Sequence, residues 1–161
     1  MMISFILFYL IGIPISVLLH EIGHALGVVL FSNEETHVYL GSKNDSNNEN
    51  FQLGRIHFHI NWAYFGFCAV NKNKLTKLQF TLMSIGGPIV SLILFSASYF
   101  LMVGLSHFEP KNFFKGMTII NFVLFISTII PIRYPNWIKP YAGLSSDGYQ
   151  ILKLFKDDNS K

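Results

Sequence analysis

Three uninterrupted apolar blocks, each about as long as a bilayer is thick, constrain this chain more than any other feature. They cover about residues 3–31, 80–106 and 113–132. At 1.5 Å per residue, a helix over each block is long enough to cross a hydrocarbon core of about 30 Å. Only 13% of the 161 residues are charged, whereas soluble domains carry about 25%. The sequence therefore predicts a single all-α membrane domain over residues 1–161, with three transmembrane helices.

The basic residues indicate how such a domain is oriented. Ten of the 12 Lys and Arg residues lie in residues 32–79 or after residue 132, and the other two, Lys111 and Lys115, lie just before and at the start of the third block. The positive-inside rule then predicts a cytoplasmic C-terminus and an outside N-terminus. The many Phe, Ile, Asn and Lys residues are typical of an AT-rich bacterial genome, so the expected location is a bacterial plasma membrane. The net charge of +3 is scattered rather than clustered, which argues against nucleic acid as a partner. The single cysteine, Cys68, excludes an internal disulfide.

A polar stretch between the first two blocks has a different pattern. Ile56, Phe58 and Ile60 alternate with polar residues, which is the period of a half-exposed strand. Residues 64–70 offer a returning strand. We expect a small β-hairpin over residues 51–70 at the membrane surface. After the third block, residues 148–155 are predicted to form a short helix, capped by Ser146 or Asp147.

Ionisable residues inside the first block are the strongest functional signal. His20-Glu21-Ile22-Gly23-His24 is an H-E-x-x-H motif within apolar sequence, where charged groups are costly and usually functional. Residues i and i+4 share one face of a helix, so both imidazoles can reach one metal ion. Glu21 is then placed to act as the general base of a zinc metalloprotease.

A catalytic zinc ion takes three protein ligands and keeps one position open. The residues alone leave the third ligand undecided. The candidates are the carboxylates of the polar stretch, an H-x-H pair on the predicted strand, and an Asp-Gly pair after the third block: Glu34, Glu35, Glu49, His57, His59 and Asp147.

Three elements together resemble the site-2 protease family of zinc intramembrane metalloproteases, in a small bacterial form. They are the H-E-x-x-H motif in a span, a Gly86-Gly87-Pro88 run in the second span, and a third span, from Asn121 through Pro131, followed by Asp147-Gly148. Three features depart from the family pattern. Fifteen residues separate Pro131 from Asp147, Ser127 and Thr128 replace the Asn expected near Pro131, and Ser91 stands where relatives often carry Asn.

The resemblance implies a three-helix catalytic core with one zinc ion per chain. It implies His20, His24 and Asp147 as ligands and Glu21 as the catalytic base. It also implies a membrane-anchored protein or peptide substrate, captured as an extended strand by the hairpin, and a possible presenting partner. The residues expected to contact the substrate come from the hairpin and the two later spans: Gly54, Ile56, Phe58, Ile60, Gly86, Pro88 and Asn121.

Two other interpretations use the same motif. One is a non-proteolytic membrane zinc-binding protein, or pseudoprotease, for which Glu21 has no role in chemistry. The other is a membrane-tethered protease that acts on soluble peptides and takes a ligand such as Glu49.

Overall fold

A computed structural model describes residues 2–44 and 46–158 of the chain. Three helical segments in this part are long and apolar enough to cross a membrane, Met2–Val29, Lys77–Gly104 and Phe108–Ile129. The three predicted apolar spans are thus confirmed as candidate membrane helices. The second begins earlier than expected because Thr76 and Gln79 form a capping box at its first turn.

The first segment contains a break that Pro14 explains. Helix α1 (Met2–Leu7) passes through a π-helical turn, Phe8–Gly12, into helix α2 (Ile13–Val29). Pro14 has no N–H to donate to the carbonyl of Leu10, four residues earlier. The indole N–H of Trp62 donates to that carbonyl instead, at 2.9 Å. This bond links the segment around Trp62 to the middle of the first candidate span.

Helices α3 (Lys77–Gly104) and α4 (Phe108–Ile129) complete the candidate membrane region. Helix α3 packs against both α2 and α4. Large apolar side chains cover the outward faces of these helices and remain exposed: Phe5, Leu10, Ile93, Phe100, Ile119 and Val123. Such a belt is what lipid-facing helices present to a bilayer.

A four-stranded mixed sheet replaces the predicted hairpin. Its strands are β1 (Thr36–Leu40), β2 (Phe51–Leu53), β3 (Ile56–Ile60) and β4 (Gly66–Ala69), in the order β2-β3-β1-β4. Strand β1 pairs in parallel with β3 and antiparallel with β4. The expected return strand therefore exists, but β1 lies between it and β3. The predicted all-α class is thus confirmed for the three candidate spans, whereas the single hairpin expected beside them was wrong because β1 inserts between two strands that are adjacent in sequence.

The apolar side of this sheet packs on helix α2. Val38, Ile56 and Phe58 form a buried cluster with Ala25 of the helix. The alternation that predicted a half-exposed strand is confirmed in β3, because His57 lies on the opposite face. The sheet thereby covers the half of α2 that carries the H-E-x-x-H motif.

The fifteen residues between Pro131 and Asp147 form a loop closed at its base, here called the closed loop (residues 132–146). The N–H of Ser146 donates to the carbonyl of Ile132 at 3.0 Å, and that of Tyr134 donates to Leu144 at 2.9 Å. Because these bonds join the two ends of the insertion, the chain returns to the end of α4. Helix α5 (Asp147–Asp158) begins there.

Candidate metal centre

The two histidines of the motif share one face of α2, as their spacing predicts. Their Nε2 atoms lie 3.2 Å apart, and both side chains are buried. The sequence fixes this arrangement locally, because residues i and i+4 of a helix stack one turn apart.

Asp147 completes the cluster from the start of α5. Its Oδ2 lies 3.4 Å from Nε2 of His24 and 3.7 Å from Nε2 of His20. Tetrahedral ligands at about 2.0–2.2 Å from zinc lie about 3.3–3.6 Å from one another. The three atoms thus form a triangle of the size that a tetrahedral metal ion requires. Among the described residues, His20, His24 and Asp147 are the one group of three or more His, Cys, Asp or Glu side chains close enough to hold an ion.

Helix α3 orients both imidazole rings. Nδ1–H of His24 donates to the carbonyl of Met83 at 2.8 Å, which leaves Nε2 of the neutral ring with a free lone pair. Nδ1 of His20 lies 2.8 Å from the hydroxyl of Ser91, also in a hydrogen bond. Outer hydrogen bonds of this kind fix the ring orientation of metal-binding histidines. Ser91, which stands where relatives often carry Asn, therefore orients the His20 ring through this hydrogen bond.

Gly87 of α3 leaves the space in which the two Nε2 atoms meet. A Cβ atom on Gly87 would lie 2.8 Å from Nε2 of His20 and still closer to Nε2 of His24. That position is near the place that an ion shared by both rings would take. Helix α3 therefore supplies an open cradle as well as the two hydrogen-bonding partners.

Ser146 and Gly148 bring Asp147 to this position. The Ser146 hydroxyl accepts hydrogen bonds from the N–H groups of Ile132 and Tyr149, and donates to the carbonyl of Ile130 at 2.7 Å. The bond from Tyr149 caps α5, which confirms the predicted helix and its Ser146 cap. Any side chain at Gly148 would collide with the carbonyl of Ile129. These contacts explain how the insertion leaves Asp147 next to the end of α4.

The carboxylate of Asp147 is stabilised in its charged form. When no ion is bound, burial raises the pKa of Asp147, but attraction to the protonated imidazole of His24 and hydrogen bonds from both rings outweigh burial and lower the pKa below its usual range. An anionic oxygen next to two imidazole nitrogens is a donor set suited to zinc and related divalent transition metals. The residues present therefore fit a metal ion of this class.

Glu21 lies beside the triad and outside it. Its side chain is buried and lines the same cavity, of about 880 Å³, as His20, His24 and Asp147. The first residue of β4, Gly66, closes the space next to Glu21, since a Cβ on Gly66 would lie 2.8 Å from Cγ of Glu21. Glu21 therefore lines the cavity next to the three clustered side chains without belonging to the cluster.

The other candidate third ligands lie in strand β3 (the histidines) or in the loops that flank the strands (the carboxylates). Oε2 of Glu49 lies 3.0 Å from Nδ1 of His57, and Oε2 of Glu35 lies 3.7 Å from Nε2 of the same ring. Nε2 of His59 is hydrogen-bonded to Nδ1 of His37 at 3.1 Å. Glu34 pairs with Lys74. The triad includes none of these groups.

The residues predicted to contact a substrate do not line the cavity. Ile56, Phe58 and Ile60 lie in β3, which has strands paired on both sides, so its backbone is not free to pair with a further strand. Gly54 forms the turn before β3 with φ of 60°.

The three predicted positions in the later spans hold helices together. Gly86 packs against the backbone of Gly23 in α2, and Pro88 is fully buried. The Asn121 amide donates to the hydroxyl of Ser16 at 3.1 Å and to the carbonyl of Met117. Asn121 thus links α4 to α2 one turn before His20.

Sequence reasoning missed three residues around the centre, namely Gly87, Gly66 and Tyr141. The sequence did contain an indication of Gly87, because it lies between Gly86 and Pro88, which were both predicted to contact the substrate. Gly66 and Tyr141 had none, because their proximity to the motif depends on how the sheet and the closed loop fold.

Fold and site together define a chain with three candidate membrane spans and a buried His-His-Asp cluster suited to a metal ion. Comparison of the chain with known protein families, with curated proteins and with solved structures gave no match.

Proposed function

We propose that this protein is a zinc-dependent intramembrane endopeptidase of the site-2 protease type. The observation that carries the proposal is the triangle of His20, His24 and Asp147 ligand atoms, with edges of 3.2, 3.4 and 3.7 Å, beside the buried Glu21. Three protein ligands with a neighbouring carboxylate are the pattern of catalytic rather than structural zinc sites.

The depth of the centre supports cleavage within or beside a membrane span. His20 lies about nine residues before the end of α2, which is roughly 14 Å along a helix axis. The surrounding cavity is also lined by Lys72, Lys77 and Lys153, which give water a polar route to the centre. With the predicted orientation, this route opens to the cytoplasm.

Glu21 is the proposed catalytic base. When bound, zinc supplies Lewis acidity, which lowers the pKa of a water molecule and polarises a carbonyl group. The Glu21 carboxylate accepts the proton of the attacking water and then donates it to the leaving amide nitrogen. Asp147 and the two imidazoles hold their positions through Ser146, Ser91 and Met83.

The substrate is proposed to be a membrane-anchored protein or peptide. A helical substrate must unwind locally before a carbonyl becomes accessible, because its backbone groups are already paired. The free edge of β4 borders the cavity and can pair with an unwound segment by strand addition. This role falls to β4 rather than to β3, whose two sides are both paired.

Removal of the metal is expected to stop cleavage. The protein is reconstituted in lipid vesicles with a mixed-sequence library of membrane-anchored peptides, and new peptide termini are followed by mass spectrometry. Treatment with 1,10-phenanthroline should reduce cleavage at least about a hundredfold, because the metal supplies most of the electrophilic activation.

Stoichiometric zinc should restore the rate after chelation, whereas calcium should not. Cleavage that continues after zinc has been removed would overturn the proposed function. A zinc-loaded protein that cleaves no peptide of the library would favour the non-proteolytic zinc-binding interpretation.

A further inference from the structure

The free edge of the sheet lies at β4. Strand β1 pairs with one side of β4, and β4 is the last strand in the sheet order. The N–H of Gly41 donates to the carbonyl of Phe65 at 2.8 Å, so Phe65 faces β1. Because backbone groups alternate along an antiparallel strand, Gly66 and Cys68 direct their N–H and C=O groups to the free side.

The hydroxyl of Tyr141 occupies this edge at Gly66. The Gly66 N–H donates to Oη of Tyr141 at 3.0 Å, and the hydroxyl donates back to the Gly66 carbonyl at 3.2 Å. The Tyr141 ring also packs against Phe67, with centroids 5.4 Å apart. A residue of an antiparallel strand exchanges the same two bonds with the residue opposite it. One phenol hydroxyl therefore satisfies both groups that an added strand would use.

Gly66 is also the point at which the sheet meets Glu21, since a Cβ on Gly66 would lie 2.8 Å from Cγ of Glu21. A strand residue paired with Gly66 consequently lies next to the proposed base. Tyr141 thus occupies the backbone hydrogen-bonding groups of Gly66, the β4 residue that lies next to the proposed base.

Tyr141 lies between the two ends of the closed loop. The base of the loop is held by the Tyr134–Leu144 and Ile132–Ser146 hydrogen bonds, and the N–H of Leu144 donates to the Tyr141 carbonyl at 2.9 Å. The Tyr141 hydroxyl bonds to β4, whereas Asp147 is positioned by the contacts of Ser146. Rotation of the Tyr141 side chain away from β4 therefore breaks none of the hydrogen bonds that hold Asp147.

We propose that Tyr141 is a gate that occupies the place of a substrate strand on β4 and is displaced when that strand enters. The inference rests on the proposed function in one respect, namely that the entering strand belongs to the substrate. The free edge of β4 presents alternating backbone donors and acceptors, which are complementary to an extended peptide. We therefore take an extended peptide as the ligand of this edge.

Peptide binding to variants that cannot cleave tests the gate. The probe is a fluorescein-labelled decapeptide of alternating Thr and Val, measured by anisotropy in detergent micelles. Tyr141→Phe, introduced into the Glu21→Gln protein, should tighten binding about tenfold, because the closed state loses both hydrogen bonds while the open state is unchanged. A peptide of the same sequence with alternate amides N-methylated cannot pair with the strand edge, so Tyr141→Phe should not increase its affinity over that of the Glu21→Gln parent.

Tyr134→Phe is the matched control. Tyr134 lies in the same loop, but its hydroxyl donates to the carbonyl of Ser127 at 3.1 Å and does not contact β4. This variant should bind the probe like its Glu21→Gln parent. Equal affinities in the Tyr141→Phe and Tyr134→Phe proteins would overturn the gate.

Hydrogen exchange gives a second readout, independent of any reaction. Tyr141→Phe should speed exchange of the Gly66 amide at least about fivefold, and the probe peptide should restore its protection. An unchanged Gly66 amide would also contradict the proposal. Neither readout uses catalysis, so failure of the proposed protease activity and failure of the gate are distinguished.

Discussion

Glu21→Gln is expected to retain zinc and to reduce peptide cleavage by at least about a hundredfold, the range that a positioned general base contributes. Gln has the size and shape of Glu, so packing against Gly66 is preserved. The variant removes only the ability to accept a proton. Zinc content is measured by atomic absorption, and cleavage with the vesicle-bound peptide library.

Glu49→Gln is the control for this experiment. Glu49 undergoes the same chemical change, but its carboxylate pairs with His57 on the sheet and does not line the cavity. The wild-type rate should be retained. A Glu21→Gln protein that cleaves as fast as the wild type would remove Glu21 from the mechanism.

Gly87→Ala should strongly weaken metal binding while keeping all three ligands in the chain. The added methyl group would lie 2.8 Å from Nε2 of His20 and closer to Nε2 of His24, in the space the two rings share. Because the methyl group displaces the two imidazole rings, zinc affinity should fall at least about a hundredfold. This is the upper end of the loss seen when the residues that orient metal ligands are changed. Competition with a zinc-sensitive dye measures the affinity.

Gly104→Ala provides the matched change on the same helix. A Cβ at Gly104 meets nothing within 4 Å, so zinc affinity should stay at the wild-type value. Thermal unfolding of both variants separates lost metal binding from lost folding. Wild-type affinity in Gly87→Ala would contradict the location of the ion between the two imidazoles.

The parts of the site that sequence could predict are those set by local periodicity. His20 and His24 face the same way because any helix brings residues i and i+4 together. The three spans follow from the length and composition of the apolar blocks. In both cases the decisive geometry lies within one element.

The parts that could not be predicted depend on contacts between distant segments. Alternation in β3 indicated a strand, but nothing in that pattern shows that β1 inserts between β3 and β4. Likewise, the position of Asp147 depends on the hydrogen bonds of Ser146 that close a fifteen-residue loop. Residue spacing describes the length of such a loop and not where its ends meet.

The central claim is that His20, His24 and Asp147 hold one zinc ion, and the most direct test is zinc per chain in detergent-purified protein. The wild type and Glu49→Ala should each carry about one zinc ion, whereas His20→Ala and Asp147→Ala should carry close to none after reloading and dialysis. If Asp147→Ala keeps about one zinc ion per chain while His20→Ala loses it, the three-ligand site is contradicted.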